Sequence, residues 1–346
     1  MVNSTVSRKF NQIKWSYILI VMLVMVVIYN LPSLAWKDSD IHVYFLDVGQ
    51  GDCFIIQQAE HTYMIDGGGE RFMSEFQNVG IQVIHPFLLE KKIKKIDCIF
   101  ISHIHYDHIK GILEILPLVE VGEIVLSKPY EVFSLEHSDA IKDIQNDGAD
   151  ENGKTTSNKE DVDLMKSIFD GGDESLLMNE LYLTCSKEDI PISYMKEGDC
   201  LVGDNLAFVC LYPSLNQKYS DNENENSLVL MMEVNNLSIL FTGDVEEEGE
   251  RYLASNSLLI STTDIIKVPH HGSNSSSSEE FLSHIEAKFA IVSVGDNLFG
   301  HPSDIVAMRY ENLNIPLYST KKYGMIEVII SNDHYQVIPF NGKLVE

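Results

Sequence analysis

Positive charge is scarce in this 346-residue chain: 25 Lys and Arg stand against 52 Asp and Glu, for a formal net charge of −27. A broad electrostatic grip on nucleic acid needs clustered Lys and Arg, so this balance argues against one. A small local basic patch, or capture of phosphate by metal, stays open. Cysteine is sparse too. Cys53, Cys98, Cys185, Cys200 and Cys210 lie far apart with no C-x-x-C spacing, which suggests neither a zinc knuckle nor a disulfide framework. Cys53, Cys98 and Cys210 fall in strand-like runs and read as buried thiols. There is no internal repeat. One long hydrophobic run breaks the pattern. Arg8, Lys9 and Lys14 precede an uncharged stretch from Trp15 to Trp36. Its length, about 20 residues, suits a membrane-spanning anchor, while Ser33-Leu34-Ala35 resembles a signal-cleavage site. Residues 1–36 are therefore an anchor or a signal segment. The positive flank places the remainder of the chain outside the cytoplasmic membrane, as a single-pass protein or as one secreted after cleavage.

From Ile41 the pattern changes to short strands and turns, and residues 40–346 read as one mixed α/β domain. Ile41–Val48, Cys53–Gln57 and Thr62–Asp66 make a three-strand opening. A hairpin is legible at Leu228–Val234 and Leu237–Thr242, because Asn235-Asn236 tolerates the positive φ of a two-residue turn. Further strands are expected at Ile265–Val268, Phe289–Val294, Met325–Ile330 and Tyr335–Phe340. Helices are expected at roughly 72–92, 109–117, 246–255, 279–286 and 303–312. One stretch resists a compact core: residues 139–174 hold eleven Asp or Glu against four Lys. It reads as a solvated insertion, spanning about 137–195 with its flanks.

Chemistry concentrates in Ser102-His103-Ile104-His105-Tyr106-Asp107-His108, directly after the apolar run Ile96–Ile101. Such a run ends a buried strand, and side chains just past its end can converge on one point. Imidazoles with a carboxylate suit a borderline divalent ion. His103 and His105 can grip one ion, and Asp107 and His108 a second beside it. Two ions need more ligands. Asp244, after Phe241-Thr242-Gly243, can bridge them, although the ordinary role of a helix N-cap competes. One of His270 and His271, after Val268-Pro269, supplies another, with His271 the choice.

The set Phe45-Leu46-Asp47-Val48-Gly49-Gln50-Gly51-Asp52, Ile65-Asp66-Gly67-Gly68, His103–His108, Asn226-Ser227-Leu228-Val229-Leu230, Thr242-Gly243-Asp244, Pro269-His270-His271-Gly272-Ser273 and Gly300-His301-Pro302 resembles the metallo-β-lactamase superfamily. Within it the resemblance is to the C-terminal metallo-hydrolase domain of competence DNA-uptake proteins of the ComEC type, over roughly residues 41–340. It implies a four-layer αβ/βα sandwich, here preceded by one N-terminal hydrophobic helix, and a hydrolase with two divalent ions, zinc with manganese as the alternative. The multi-spanning channel of those proteins has no counterpart here, so a transport role is unsupported. The family's middle histidine ligand has no clear match; Asn224, Asn226 and His137 are the candidates, and occupancy of the second site stays open.

The chemistry expected is attack by a metal-bound hydroxide, with Asp107 orienting and deprotonating the water. His270 and His301 are candidates to stabilise or protonate the developing oxyanion, although His301 could equally cap the following helix. Lys267 and Lys321-Lys322 could add local positive potential, or be solvated charges. The first reading of function is an extracytoplasmic phosphodiesterase or nuclease, with DNA or a cell-envelope polymer as substrate. The second is a cell-envelope phosphodiesterase of the phosphorylcholine-esterase kind. A third is a non-catalytic membrane-tethered binding module, which would require losing the metal site. No obligate protein partner is indicated, and a true β-lactamase does not fit the subgroup motifs.

Overall fold

The computed structural model describes residues 40–69, 78–131, 173–256, 260–331 and 334–340. The hydrophobic segment Trp15–Trp36 and His137 lie outside them. Among the described residues no helix is long and apolar enough to cross a membrane.

Period-two alternation builds the first sheet. In β1 (Ile41–Phe45), Val43 and Phe45 face one core and Tyr44 the other. β2 (Phe54–Gln58) and β3 (His61–Ile65) repeat the pattern, with Ile55 and Met64 on the face of Tyr44. A sheet apolar on both faces must be covered on both. Its eight strands run β17-β16-β1-β2-β3-β5-β7-β8, mixing antiparallel pairs around β1 with parallel pairs beyond β3. The remaining members are β5 (Cys98–Phe100), β7 (Ile124–Ser127), β8 (Ile192–Met195), β16 (Ile326–Ser331) and β17 (His334–Pro339). A two-stranded sheet joins β4 (Lys95–Ile96) to β6 (Glu120–Val121).

The second sheet has seven strands in the order β15-β14-β13-β12-β11-β10-β9. They are β9 (Cys200–Val202), β10 (Leu206–Tyr212), β11 (Val229–Val234), β12 (Leu237–Phe241), β13 (Ile265–Lys267), β14 (Phe289–Val292) and β15 (Leu317–Ser319). The two sheets share one core, in which Phe241 meets Phe54 at 5.2 Å and Phe208 meets Phe100 at 4.9 Å between ring centroids. Helices His85–Glu90, Tyr106–Ile115 and Asp173–Lys187 cover the outer face of the first sheet. Helices Glu247–Ser255, Glu279–Leu282 and Asp304–Asn312 cover that of the second. The expected four layers are therefore present.

The described part of the span expected as an acidic insertion is built into the sandwich. Leu177, Met178, Leu181 and Cys185 form a buried stripe at helical spacing, and β8 pairs with β7 at the end of the sheet. The helix expected at 72–92 appears in its described part as a π-helical turn, Gly80–Ile84, running into His85–Glu90.

The turn between β1 and β2 lies against the start of helix Tyr106–Ile115. A Cβ on Gly51 (φ +131°) would sit 2.3 Å from the Asp107 carbonyl oxygen. Gly51→Ala should therefore cost about 1–3 kcal/mol, read as a lower Tm in thermal denaturation. An unchanged Tm would contradict that packing.

Candidate metal centre

Four strand ends deliver the site. Asp66 follows β3, Ser102 to His105 follow β5, Gly243-Asp244 follow β12, and His270-His271 follow β13. Helix Tyr106–Ile115 begins one residue after His105 and carries Asp107 and His108 in its first turn. Local conformation is forced at two of these ends. His270 (φ 47°) and His271 (φ 50°) adopt the left-handed region in succession, and Asp66 does so at φ 56°. Non-glycine residues hold such angles at a cost of roughly 1–3 kcal/mol each, and they cluster at functional sites. Successive side chains of an extended chain would point apart. The left-handed pair instead brings His271 into the cluster and leaves His270 at its edge.

Two hydrogen bonds decide the chemistry. His271 Nδ1 lies 2.9 Å from the Ser293 carbonyl oxygen, which can only accept, so Nδ1 carries the proton. His108 Nδ1 lies 2.9 Å from Asp66 Oδ2, and the other oxygen of Asp66 accepts from Ser102 N at 2.7 Å. Both imidazoles therefore turn Nε2 inward, and among the described residues neither Nε2 has a hydrogen-bond partner. What they face is carboxylate. Asp244 Oδ2 is 3.2 Å from His108 Nε2 and 3.3 Å from His271 Nε2. Asp107 Oδ2 is 3.3 Å from His271 Nε2, and Asp107 Oδ1 is 4.0 Å from His108 Nε2. Nitrogen and carboxylate lone pairs aimed at one another repel unless a proton or a cation lies between them. A tetrahedral ion with ligands about 2.0–2.1 Å away holds its ligand atoms about 3.3 Å apart. The spacing of these side chains fits a divalent ion.

Electrostatics agree. Burial alone would lower the His271 pKa, but the Asp244 and Asp52 carboxylates raise it to about 10. Burial is likewise outweighed at His108, which Asp244, Asp66 and Asp107 push well up. Burial opposes ionisation of Asp107, yet His108 and His271 bring it down to about 2. Asp244 is held well below the carboxylate range, against burial, by His271, His108 and Lys267. The cluster thus holds protons where a cation would otherwise sit.

His103 and His105 form an adjoining pair. His103 Nε2 and His105 Nδ1 are 2.9 Å apart, and the His103 ring lies 4.2 Å from that of His108. Burial, with His108 and His105 adding to it, holds the His103 pKa well down, so its lone pair is free to bind. His270 Nδ1 contacts Glu246 Oε1 at 2.9 Å, and its Nε2 is 3.9 Å from Asp244 Oδ2. The His301 ring lies 5.7 Å from that of His270, with exposed Phe299 stacked on its far side at 5.6 Å. His103, His105, Asp107, His108, Asp244, His270, His271 and His301 therefore lie in or beside the cluster, while His137 is outside the described residues.

Several partners were not foreseen as site residues. Asp66 and Ser102 orient His108, and Ser102 Oγ also lies 3.0 Å from His103 Nδ1. Asp52 stands 3.6 Å from His271 Nδ1 and 3.9 Å from His108 Nδ1, behind the imidazoles on their protonated side. Asp52 clusters with His108, Asp244 and His271 within 4.8 Å; its place behind the rings makes it a support and not a ligand. Asp52 and Asp66 both lie in strand-end turns and in the motifs that carry the family resemblance, the two signals available for them. Lys267, read as a local or solvated charge, is fully buried and pairs with Asp52 and Asp244. Asn226 cannot replace the middle histidine. Its Oδ1 accepts from Ser220 N at 2.8 Å, and its Nδ2 donates to Ser220 O and Glu223 Oε2. Asn224 Nδ2 donates to Glu246 Oε1 at 3.3 Å.

A metal ion entering this cluster must displace protons from His108 and His271. Zinc titration by calorimetry at pH 7, in buffers of differing ionisation enthalpy, should show one to two protons released per chain; release of none would contradict the geometry. Without metal the raised pKa of His271 stabilises the fold fully below the unfolded value of about 6.5. That contribution is lost as pH rises through about 10. The metal-free protein should therefore lose Tm across that window, and His271→Gln should flatten the loss.

Residues 46–204 match the family model described as Metallo-beta-lactamase superfamily. The chain is 28% identical over 320 residues to ComE operon protein 3 of Bacillus subtilis (strain 168), covering 89% of this chain and 35% of that protein. It is 31% identical over 125 residues to Competence protein ComA of Neisseria gonorrhoeae, covering 36% of this chain and 18% of that protein. The chain thus spans about a third or less of the length of these relatives. Among solved structures it is similar to the metallo-beta-lactamase fold protein YhfI from Bacillus subtilis, at 10% identity and a TM-score of 0.46, covering 83% of this chain and 99% of that one. Residues 46–204 carry a metallo-β-lactamase superfamily domain, and the chain is homologous to competence proteins over that part of their length which it spans.

Proposed function

We propose that this protein hydrolyses phosphodiester bonds, as a nuclease or related phosphodiesterase on the outer side of the cytoplasmic membrane. The observation that carries the catalytic part is the inward-facing pair His108 Nε2 and His271 Nε2, set against Asp244 and Asp107 at 3.2–3.3 Å. His103, His105, Asp107, His108, Asp244 and His271 are the residues that would hold one or two divalent ions. A divalent ion there would polarise the scissile group and lower the pKa of water.

The chain's own side chains do the rest. Asp107 stays ionised at neutral pH and can orient a water by accepting its hydrogen bond. The His270 hydrogen bond holds the Glu246 pKa down to about 2, and in return Glu246 fixes the His270 ring beside Asp244. Burial, with His271 and His270 adding to it, draws the His301 pKa down to about 4. His301 is thus neutral at pH 7: it can give one N–H hydrogen bond to a substrate oxygen, and is unsuited to the other expected role of protonating it. Leu298 and Phe299, exposed beside it, form an apolar rim.

The phosphodiester class is inferred from the resemblance to competence DNA-uptake proteins, with Competence protein ComA among the relatives. The net charge of −27 opposes a long-polyanion grip, so the preferred substrates are strand ends or short single strands. The tether and its side of the membrane rest on the pattern of residues 8–36 alone.

The zinc- or manganese-loaded protein, assayed on bis-p-nitrophenyl phosphate, p-nitrophenyl phosphorylcholine and single-stranded DNA, should cleave the first and the third. Turnover confined to the phosphorylcholine ester would favour the cell-envelope alternative. No turnover of any, by a protein shown to bind metal, would overturn the phosphodiester reading. Asp244→Ala and His103→Ala should abolish turnover without loss of the cooperative thermal transition. Retained activity in either would mean the site is misassigned.

A further inference from the structure

Lys267 is the last residue of β13 and fully buried. Ile265, two positions earlier, points into the core between the sheets, and alternation sends Lys267 to the same side at the strand's end, beneath the metal centre. An isolated ammonium there would be costly to bury. This one has a complete set of acceptors for its three N–H groups. It ion-pairs with Asp52 from the β1–β2 turn, lies 3.2 Å from Asp244 Oδ1, and donates to the Gly243 carbonyl at 2.7 Å.

The consequence for Asp244 is geometric. Its Oδ1 is engaged by Lys267, while its Oδ2 alone faces His108 Nε2 and His271 Nε2 at 3.2 and 3.3 Å. A carboxylate free to turn could present either oxygen or both to a cation. Here a fixed positive charge from the neighbouring strand selects one. We infer that Lys267 is a positioning residue: its ammonium clamps Asp244 by one oxygen and so delivers the other, singly, to the metal position. The inference rests on the metal-hydrolase reading of the site but not on the phosphodiester substrate. The competing explanation is that Lys267 serves only as counter-ion to buried Asp52.

A variant pair separates these. Lys267→Met alone strands two buried carboxylates and is expected to be destabilised. Lys267→Met with Asp52→Asn removes both charges of the counter-ion pair and leaves Asp244 unclamped. Zinc affinity, measured by competition with a chromophoric chelator, should fall in this double variant by about 10–100-fold relative to Asp52→Asn alone, the usual cost of losing an outer-shell partner. An affinity in the folded double variant equal to that of Asp52→Asn would overturn the inference. If the double variant does not fold, the zinc-loaded wild-type crystal structure decides. Asp244 bound through one oxygen, with the other still on Lys267, supports the clamp. Asp244 bound through both oxygens, or Lys267 displaced, overturns it. Both measurements use zinc alone, so failure of every phosphodiester assay would leave them interpretable.

Discussion

The orientation of two imidazole rings governs this molecule. His108 and His271 each commit Nδ1 to an acceptor that belongs to the fold, the Asp66 carboxylate in one case and the Ser293 carbonyl in the other. With those bonds made, both Nε2 atoms must face the carboxylates of Asp107 and Asp244, and only a proton or a cation reconciles them. The acceptors come from the ends of β3 and β14, in different sheets. The site therefore exists only when both halves of the sandwich are closed, and the shared apolar core supplies that closure. Backbone strain at Asp66, His270 and His271 is tolerated because the packed strands leave these residues no other place.

Charge is layered outward from this centre. The nitrogen and oxygen atoms that face one another form the inner set, and behind them Asp52, Asp66, Ser102 and Lys267 are buried, fixing tautomer and rotamer. A single carboxylate behind an imidazole is a familiar arrangement in metal sites. What this chain adds is a lysine whose ammonium ties the turn after β1 to the end of β12. Further out, His270 with Glu246, and His301 with Phe299, make a graded rim from ionised to neutral to apolar. A substrate would meet that rim before it met the metal position.

Much of this is legible in the sequence, and the failures are instructive. The hairpin around Asn235-Asn236 is readable because its turn chemistry is local; the structure has β11 and β12 there, with Asn235 at φ 53°. The histidine run is readable because its residue types are rare together and sit at a strand end. Leu177, Met178, Leu181 and Cys185 are masked by surrounding acid, so a packed helix reads as part of a solvated stretch. Lys267 cannot be identified from sequence, since nothing local distinguishes a lysine buried among three acceptors from one in water. Its partners Asp52 and Asp244 come from other turns of the chain. The same holds for Asp52, whose proximity to His271 depends on register between sheets. Asn226 misleads for the opposite reason: a suitable residue type in a suitable place, spent on its own loop.

His108 Nε2, His271 Nε2, Asp244 Oδ2 and Asp107 together frame a cation position. Its most direct test is anomalous diffraction on either side of the zinc absorption edge, from crystals of the zinc-loaded protein. An anomalous peak is expected within bonding distance, about 2.0–2.2 Å, of both Nε2 atoms and of Asp244. A peak bound through Asp52 on the Nδ1 side of the rings, or no peak at all among these residues, would contradict it.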